Sequence, residues 1–201
     1  MTFLTWLPLA TICFLGAITP GPSLALVISN TVAGGTRQGV LTGLGHGLAV
    51  GLYALFTALG LALLISQTPW LFAAIQYAGA AFLLYSAVKI IMSKPAVAGD
   101  ESSHRSRFRG FTGGFLIAFL NPKLALFFLA LFSQFITDDQ SVADQVIMML
   151  TAGGIDALWY TAVALGIGQT GLLAWLKVRA RQVDLASAFV FIGLAIAVVL
   201  R

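Results

Sequence analysis

The stretch Phe14–Pro22, FLGAITPGP, sits inside a long apolar run, and a partner stretch, Phe115–Lys123, FLIAFLNPK, sits inside another. Each opens on Phe-Leu and reaches a proline within about two helical turns. Pro20 and Pro22 each remove an amide donor and crowd the preceding turn, and Gly21 between them admits unusual backbone angles. A continuous helix through Thr19–Pro22 is not expected. Within hydrocarbon, backbone groups opened by such a break are tolerated only against protein or a water-filled cavity, and the dipole ends of half-helices can bind charged solute groups. Alone, Thr19-Pro20-Gly21-Pro22 also reads as a packing kink. The matching interruption at Asn121-Pro122-Lys123 shifts the balance toward a built site in the membrane.

Outward from these breaks the chain stays apolar. Of its 201 residues 59% are hydrophobic and 9% charged, with a mean hydropathy of +0.97, so most of the exterior must face lipid. Six hydrophobic segments follow, at 3–28, 41–65, 70–92, 111–136, 145–169 and 184–200. The expected fold is an all-α polytopic membrane protein with six transmembrane helices, of which the first and fourth are broken. No Lys or Arg precedes Arg37, so the apolar N terminus reads as a retained helix rather than a signal peptide.

The basic residues alternate between connections. Arg37 lies in the first, Lys89, Lys94, Arg105, Arg107 and Arg109 in or beside the third, and Lys177, Arg179 and Arg181 in the fifth. The fourth connection holds Asp138, Asp139 and Asp144 and no base. The basic connections are therefore assigned to the cytoplasm and both termini to the extracytoplasmic side. The net charge of +4 is explained by orientation and gives no reason to expect nucleic acid.

The polar segment 93–110 divides the chain into a first three-helix half, 1–92, and a second, 111–201, with a cytoplasmic connector between them. An odd number of spans per half inverts one half relative to the other, which predicts a 3+3 inverted repeat. Thr42–His46, TGLGH, beside Thr151–Asp156, TAGGID, is a weaker internal match that sets His46 and Asp156 at similar places in their halves.

Asp156 is flanked on both sides by apolar or small residues and is the expected proton-coupling group, since an intramembrane carboxylate can change its proton affinity as its surroundings change. His46 can exchange a proton near neutral pH or simply pack helix two, and the sequence leaves both open. Lys123 can attract a substrate carboxylate or snorkel to the interface, and Asn121 can accept or donate hydrogen bonds. Gly39, Gly43, Gly47 and Gly51 recur every four residues with Gly45 between them, a small-residue stripe for close helix packing, within the chain or in a homo-oligomer. Tyr77, Gly79, Tyr85, Trp159 and Tyr160 are open between lining a route and holding the bundle. Lone Cys13 reads as structural.

Phosphate-binding GxxxxGK[ST], HExxH and GxSxG motifs are absent, no ligand cluster for a metal is evident, and no cofactor or enzymatic activity is expected. At this level the sequence resembles the LysE/RhtB family of bacterial amino-acid exporters. The resemblance is carried by GAITPGP at 16–22, RQGVLTGLGHGLAV at 37–50, YAGAAFLLYSAVKI at 77–90 and FLNPKLALFF at 119–128. It implies six membrane helices, residence in the bacterial inner (cytoplasmic) membrane, and efflux of amino acids or related small metabolites driven by the proton gradient or membrane potential. On matching positions it implies that Pro20, Gly21 and Pro22 carry the first break, Asn121 and Pro122 the second, and Lys123 and Asp156 polar groups of the transport region. The expected partners are an amino acid, protons and membrane lipid. Competing readings are an exporter of another small solute or a metal ion, and a nontransport membrane scaffold.

Overall fold

The computed structural model describes residues 1–19, 21–92, 109–137, 140–166 and 172–200. Pro20, most of the connector (residues 93–108, with Lys94, His104, Arg105 and Arg107), Asp138 and Asp139 lie outside the described residues, as does the side chain of Lys177. Among the described residues the structure is entirely helical: α1 (Phe3–Ile18), α2 (Pro22–Gly34), α3 (Thr36–Gln67), α4 (Pro69–Met92), α5 (Gly110–Phe119), α6 (Pro122–Phe132), α7 (Val142–Gly166) and α8 (Leu172–Val199).

The two interruptions fall where the prolines are. α1 and α2 meet at 57°, and α5 and α6 at 63°. Pro22 and Pro122 each occupy the start of the second half-helix, where a missing amide hydrogen has no helical partner to lose. α3, α4, α7 and the Arg181–Val199 part of α8 are long and apolar enough to cross a membrane singly, and counting each bent pair as one span gives six. The chain is a polytopic all-α membrane protein.

Two connections are shorter than the sequence suggested. Ser29–Val40 is almost wholly helical: only Gly35 separates α2 from α3, and its φ of 80° supplies the left-handed turn that a side chain would strain. The polar stretch before residue 184 also winds into α8, because Leu, Ala, Lys and Arg favour helix whether or not lipid surrounds them. The helices continue past the ends of the hydrophobic runs.

α3 is the central element and packs most extensively on α7 and α5. The glycine stripe is what lets it do so. A Cβ on Gly43 would stand 2.9 Å from Cβ of Tyr160, and one on Gly47 2.6 Å from Cβ of Ala157. Gly47 and Gly153 approach reciprocally, a Cβ on either falling 2.7 Å from the carbonyl oxygen of the other. Gly45 serves the opposite neighbour, where a Cβ would collide with the Phe111 carbonyl of α5. Backbone approach of this kind replaces the hydrophobic drive that lipid removes. α4 pairs with α8, and Leu9, Ile12, Leu61, Leu83, Phe128, Leu131 and Phe132 fill the largest core.

Polar contacts show which ends lie together. Arg181 donates to the carbonyls of Ile90 and Ile91, joining the end of α4 to the charged turn of α8. The start of α3 meets the start of α5, where Gln38 lies against Gly110. At an opposite terminus, the amino group of Met1 pairs with Asp144 at the start of α7.

Candidate functional site

The two breaks have different fates. At α5/α6 the opened backbone is satisfied locally: Asn121 caps α6, its Oδ1 accepting from the amides of Lys123 at 3.0 Å and Leu124 at 3.4 Å. The Tyr53 hydroxyl donates to the carbonyl of Phe119, which a continuous helix would have paired within itself. Asn121 and Pro122 therefore build a stable corner. Lys123 is exposed on the first turn of α6, a helix that packs chiefly on α4 and α3. The structure does not bring Lys123 to Asp156.

The α1/α2 break leads into a polar chain. Ser23, in the first turn of α2, has its Oγ 2.8 Å from Nε2 of His46 on α3. The other ring nitrogen, Nδ1, lies 2.6 Å from Oδ2 of Asp156 on α7. Three helices thus contribute one residue each to an uninterrupted line of hydroxyl, imidazole and carboxylate. The Tyr160 ring, one turn along α7 from Asp156, stands edge-on to the imidazole with centroids 4.9 Å apart. Cys13 of α1 lies within electrostatic reach of Asp156.

This meeting follows from the glycine stripe. Gly43 and Gly47 flank His46 on its helix and draw α3 against the Gly153–Tyr160 face of α7, so a histidine and an aspartate reach each other with almost no solvent between them. His46 is 2% exposed and Asp156 6%. Ser23 is only half-buried, and Gly21 beside it has no atom within 4 Å of where a Cβ would be. The chain therefore has two sealed members and one that reaches the open lip of the break. On the other lip, the Thr19 hydroxyl donates to the Leu15 carbonyl at 2.6 Å and lies 3.2 Å from Oγ of Ser187 on α8.

A proton can reside on this line in more than one way. With neutral imidazole protonated at Nδ1, His46 donates to Asp156 and accepts from the Ser23 hydroxyl. With imidazolium, both ring nitrogens donate, and Ser23 must turn its hydroxyl hydrogen elsewhere. Protonation thus reverses the hydrogen bond at the exposed end.

The family model for LysE type translocators matches residues 14–201, from the first break to the end of the chain. The chain belongs to the LysE type translocator family. Across 170 residues it is 29% identical to the uncharacterized membrane protein YrhP of Bacillus subtilis, covering 79% of this chain and 80% of that protein. Across 121 residues it is 31% identical to the leucine efflux proteins of Salmonella choleraesuis and Salmonella typhimurium, covering 59% of this chain and 57% of theirs. The match thus spans little more than half the length of those efflux proteins. No solved structure matches.

Within this LysE-type chain, Asp156 and His46 come together, while Gly21 and Pro22 form the adjoining lip. Asn121 and Pro122 form the separate corner, with Lys123 facing outward. Pro20 lies outside the described residues. Tyr160 joins the site, whereas Tyr77 and Tyr85 are exposed on α4. Sequence reasoning missed Ser23, whose signal was its place directly after Pro-Gly-Pro, at the first turn of a half-helix. It also passed over Asp184, which is buried on α8 one turn from Ser187.

Proposed function

We propose that this translocator exports amino acids across the bacterial inner membrane in exchange for protons, with the His46–Asp156 pair as the proton site. The observation that carries this reading is the buried pair at 2.6 Å, wired through Ser23 to a broken helix. A carboxylate and an imidazole sealed from solvent can exchange a proton only when a conformational change or their half-buried neighbour Ser23 admits it. Coupling needs that property.

In the proposed cycle an amino acid enters from the cytoplasm and lodges at the α1/α2 break. Its carboxylate faces the first-turn amides of α2, and its ammonium group lies toward the negative charge of Asp156. Reorientation of the two halves, 1–92 and 111–201, opens the site outward. A proton arriving from outside neutralises the pair, weakens its hold on the ammonium and favours release. The protonated carrier resets and discharges inward. Carboxylate, imidazole and hydroxyl also form the order of a hydrolytic triad. In a family of translocators, without a GxSxG elbow, we assign the chain to proton movement and not to hydrolysis.

The positive-inside rule favours placing Arg37, Lys89, Arg109 and Arg181 at the cytoplasm and both termini outside. The efflux relatives favour a leucine-like substrate, and the Asp156 carboxylate fits the α-ammonium group of an amino acid. The test is a panel of labelled amino acids in proteoliposomes. Efflux of leucine and its branched-chain neighbours, accelerated by an inward proton gradient, is expected; absence of selective flux across the panel would overturn the assignment.

A further inference from the structure

Ser23 is the half-buried end of a line whose other members are sealed, and it sits in the first turn of the half-helix that forms one lip of the break. We propose that Ser23 is a substrate-binding residue through which the proton state of the His46–Asp156 pair reaches the substrate. The proposal rests on the proton-antiport reading and deepens it.

The proton state of the imidazole sets the donors and acceptors available at the Ser23 oxygen. While the imidazole is neutral, the Ser23 hydroxyl donates to Nε2, and beside Tyr160 its oxygen keeps a lone pair to accept from a substrate ammonium group. Once the imidazole gains a proton, Nε2–H donates to that oxygen. One lone pair is then taken and a positive charge stands one hydrogen bond away. Substrate ammonium and proton then compete at a single oxygen atom, which is the requirement of an antiporter. The proton moves without other bond changes: it arrives at Nε2, and the Ser23 hydroxyl hydrogen rotates away while remaining on its oxygen.

The groups around the pair leave this role to Ser23. α1 contributes Cys13 and α7 contributes Tyr160, which also interacts with Ser23. α2 and α5 carry no ionisable side chain. On α3 the remaining ionisable groups are Arg37, more than two turns away, and Tyr53, which is engaged at the Phe119 carbonyl.

The full chain, labelled with nitrogen-15 at histidine and placed in lipid nanodiscs, gives a direct readout. It contains two histidines, so His46→Gln identifies the resonances of interest. Ser23→Ala is expected to move the His46 Nε2 resonance and displace its titration midpoint by about one pH unit, while Ser23→Thr, which keeps the hydroxyl, restores both. In proteoliposomes the pH profile of labelled leucine efflux should be displaced by Ser23→Ala in the same way. An unchanged His46 titration in Ser23→Ala would overturn the proposal, as would an unshifted flux profile. Lack of leucine flux in the wild type would count against the transport reading, and the resonance comparison would still decide the role of Ser23.

Discussion

Asp156 and His46 satisfy each other in a place where neither could be left alone. Removing one partner strands a buried polar group, and hydrogen bonds to charged groups carry more than neutral ones. His46→Gln keeps a side chain that can bond Asp156 but cannot hold a proton at Nε2. The expected outcome is an inserted, folded protein whose gradient-driven efflux in proteoliposomes falls roughly tenfold or more. Asp156 was legible because a carboxylate amid apolar residues has few meanings. His46 was ambiguous, because its role depends on a partner 110 residues away. Lys123 carried the same sequence signal as Asp156, an ion in an oily run, yet it lies exposed on the first turn of α6. What separates the two is the facing of their helices, which sequence distance from a proline does not specify.

At the level of elements, the breaks and the glycine stripe were both visible as patterns, but the stripe's two-sidedness was not. Gly43, Gly47 and Gly51 face α7 while Gly45 faces α5, so α3 is clamped between two neighbours. Gly47→Val would drive branched carbon into the Gly153 carbonyl and the Ala157 side chain, and a cost of about 1–3 kcal/mol is expected from overpacking. Thermal unfolding in detergent should show a clear drop in Tm for Gly47→Val. Gly60→Ala, on the exposed side of the same helix with open space around it, should show none. The two proline breaks looked equivalent in sequence and are not. Asn121 and Tyr53 close the second with their own hydrogen bonds, whereas the first presents Ser23 to a histidine. The difference lies in what packs beside each break, a tertiary property.

For the molecule as a whole, hydrophobic run lengths yielded the number of segments, and the structure agrees when each bent pair is counted as one span. Connection lengths were misjudged because α2, α3 and α8 continue as helix into polar sequence. TGLGH and TAGGID lie on α3 and α7, which touch through the reciprocal contact of Gly47 with Gly153 and through the adjoining His46–Asp156 bond. These contacts join residues 1–92 to residues 111–201 at the proposed proton site. The central claim is that proton movement through this pair drives export. The most direct test loads proteoliposomes with labelled leucine, imposes an inward proton gradient, and follows efflux and internal pH together for wild type and Asp156→Asn. The account predicts proton entry matched to leucine exit in the wild type, and loss of both the gradient dependence and the matched proton entry in Asp156→Asn. Gradient-dependent efflux with matched proton entry that persists undiminished in Asp156→Asn would contradict it.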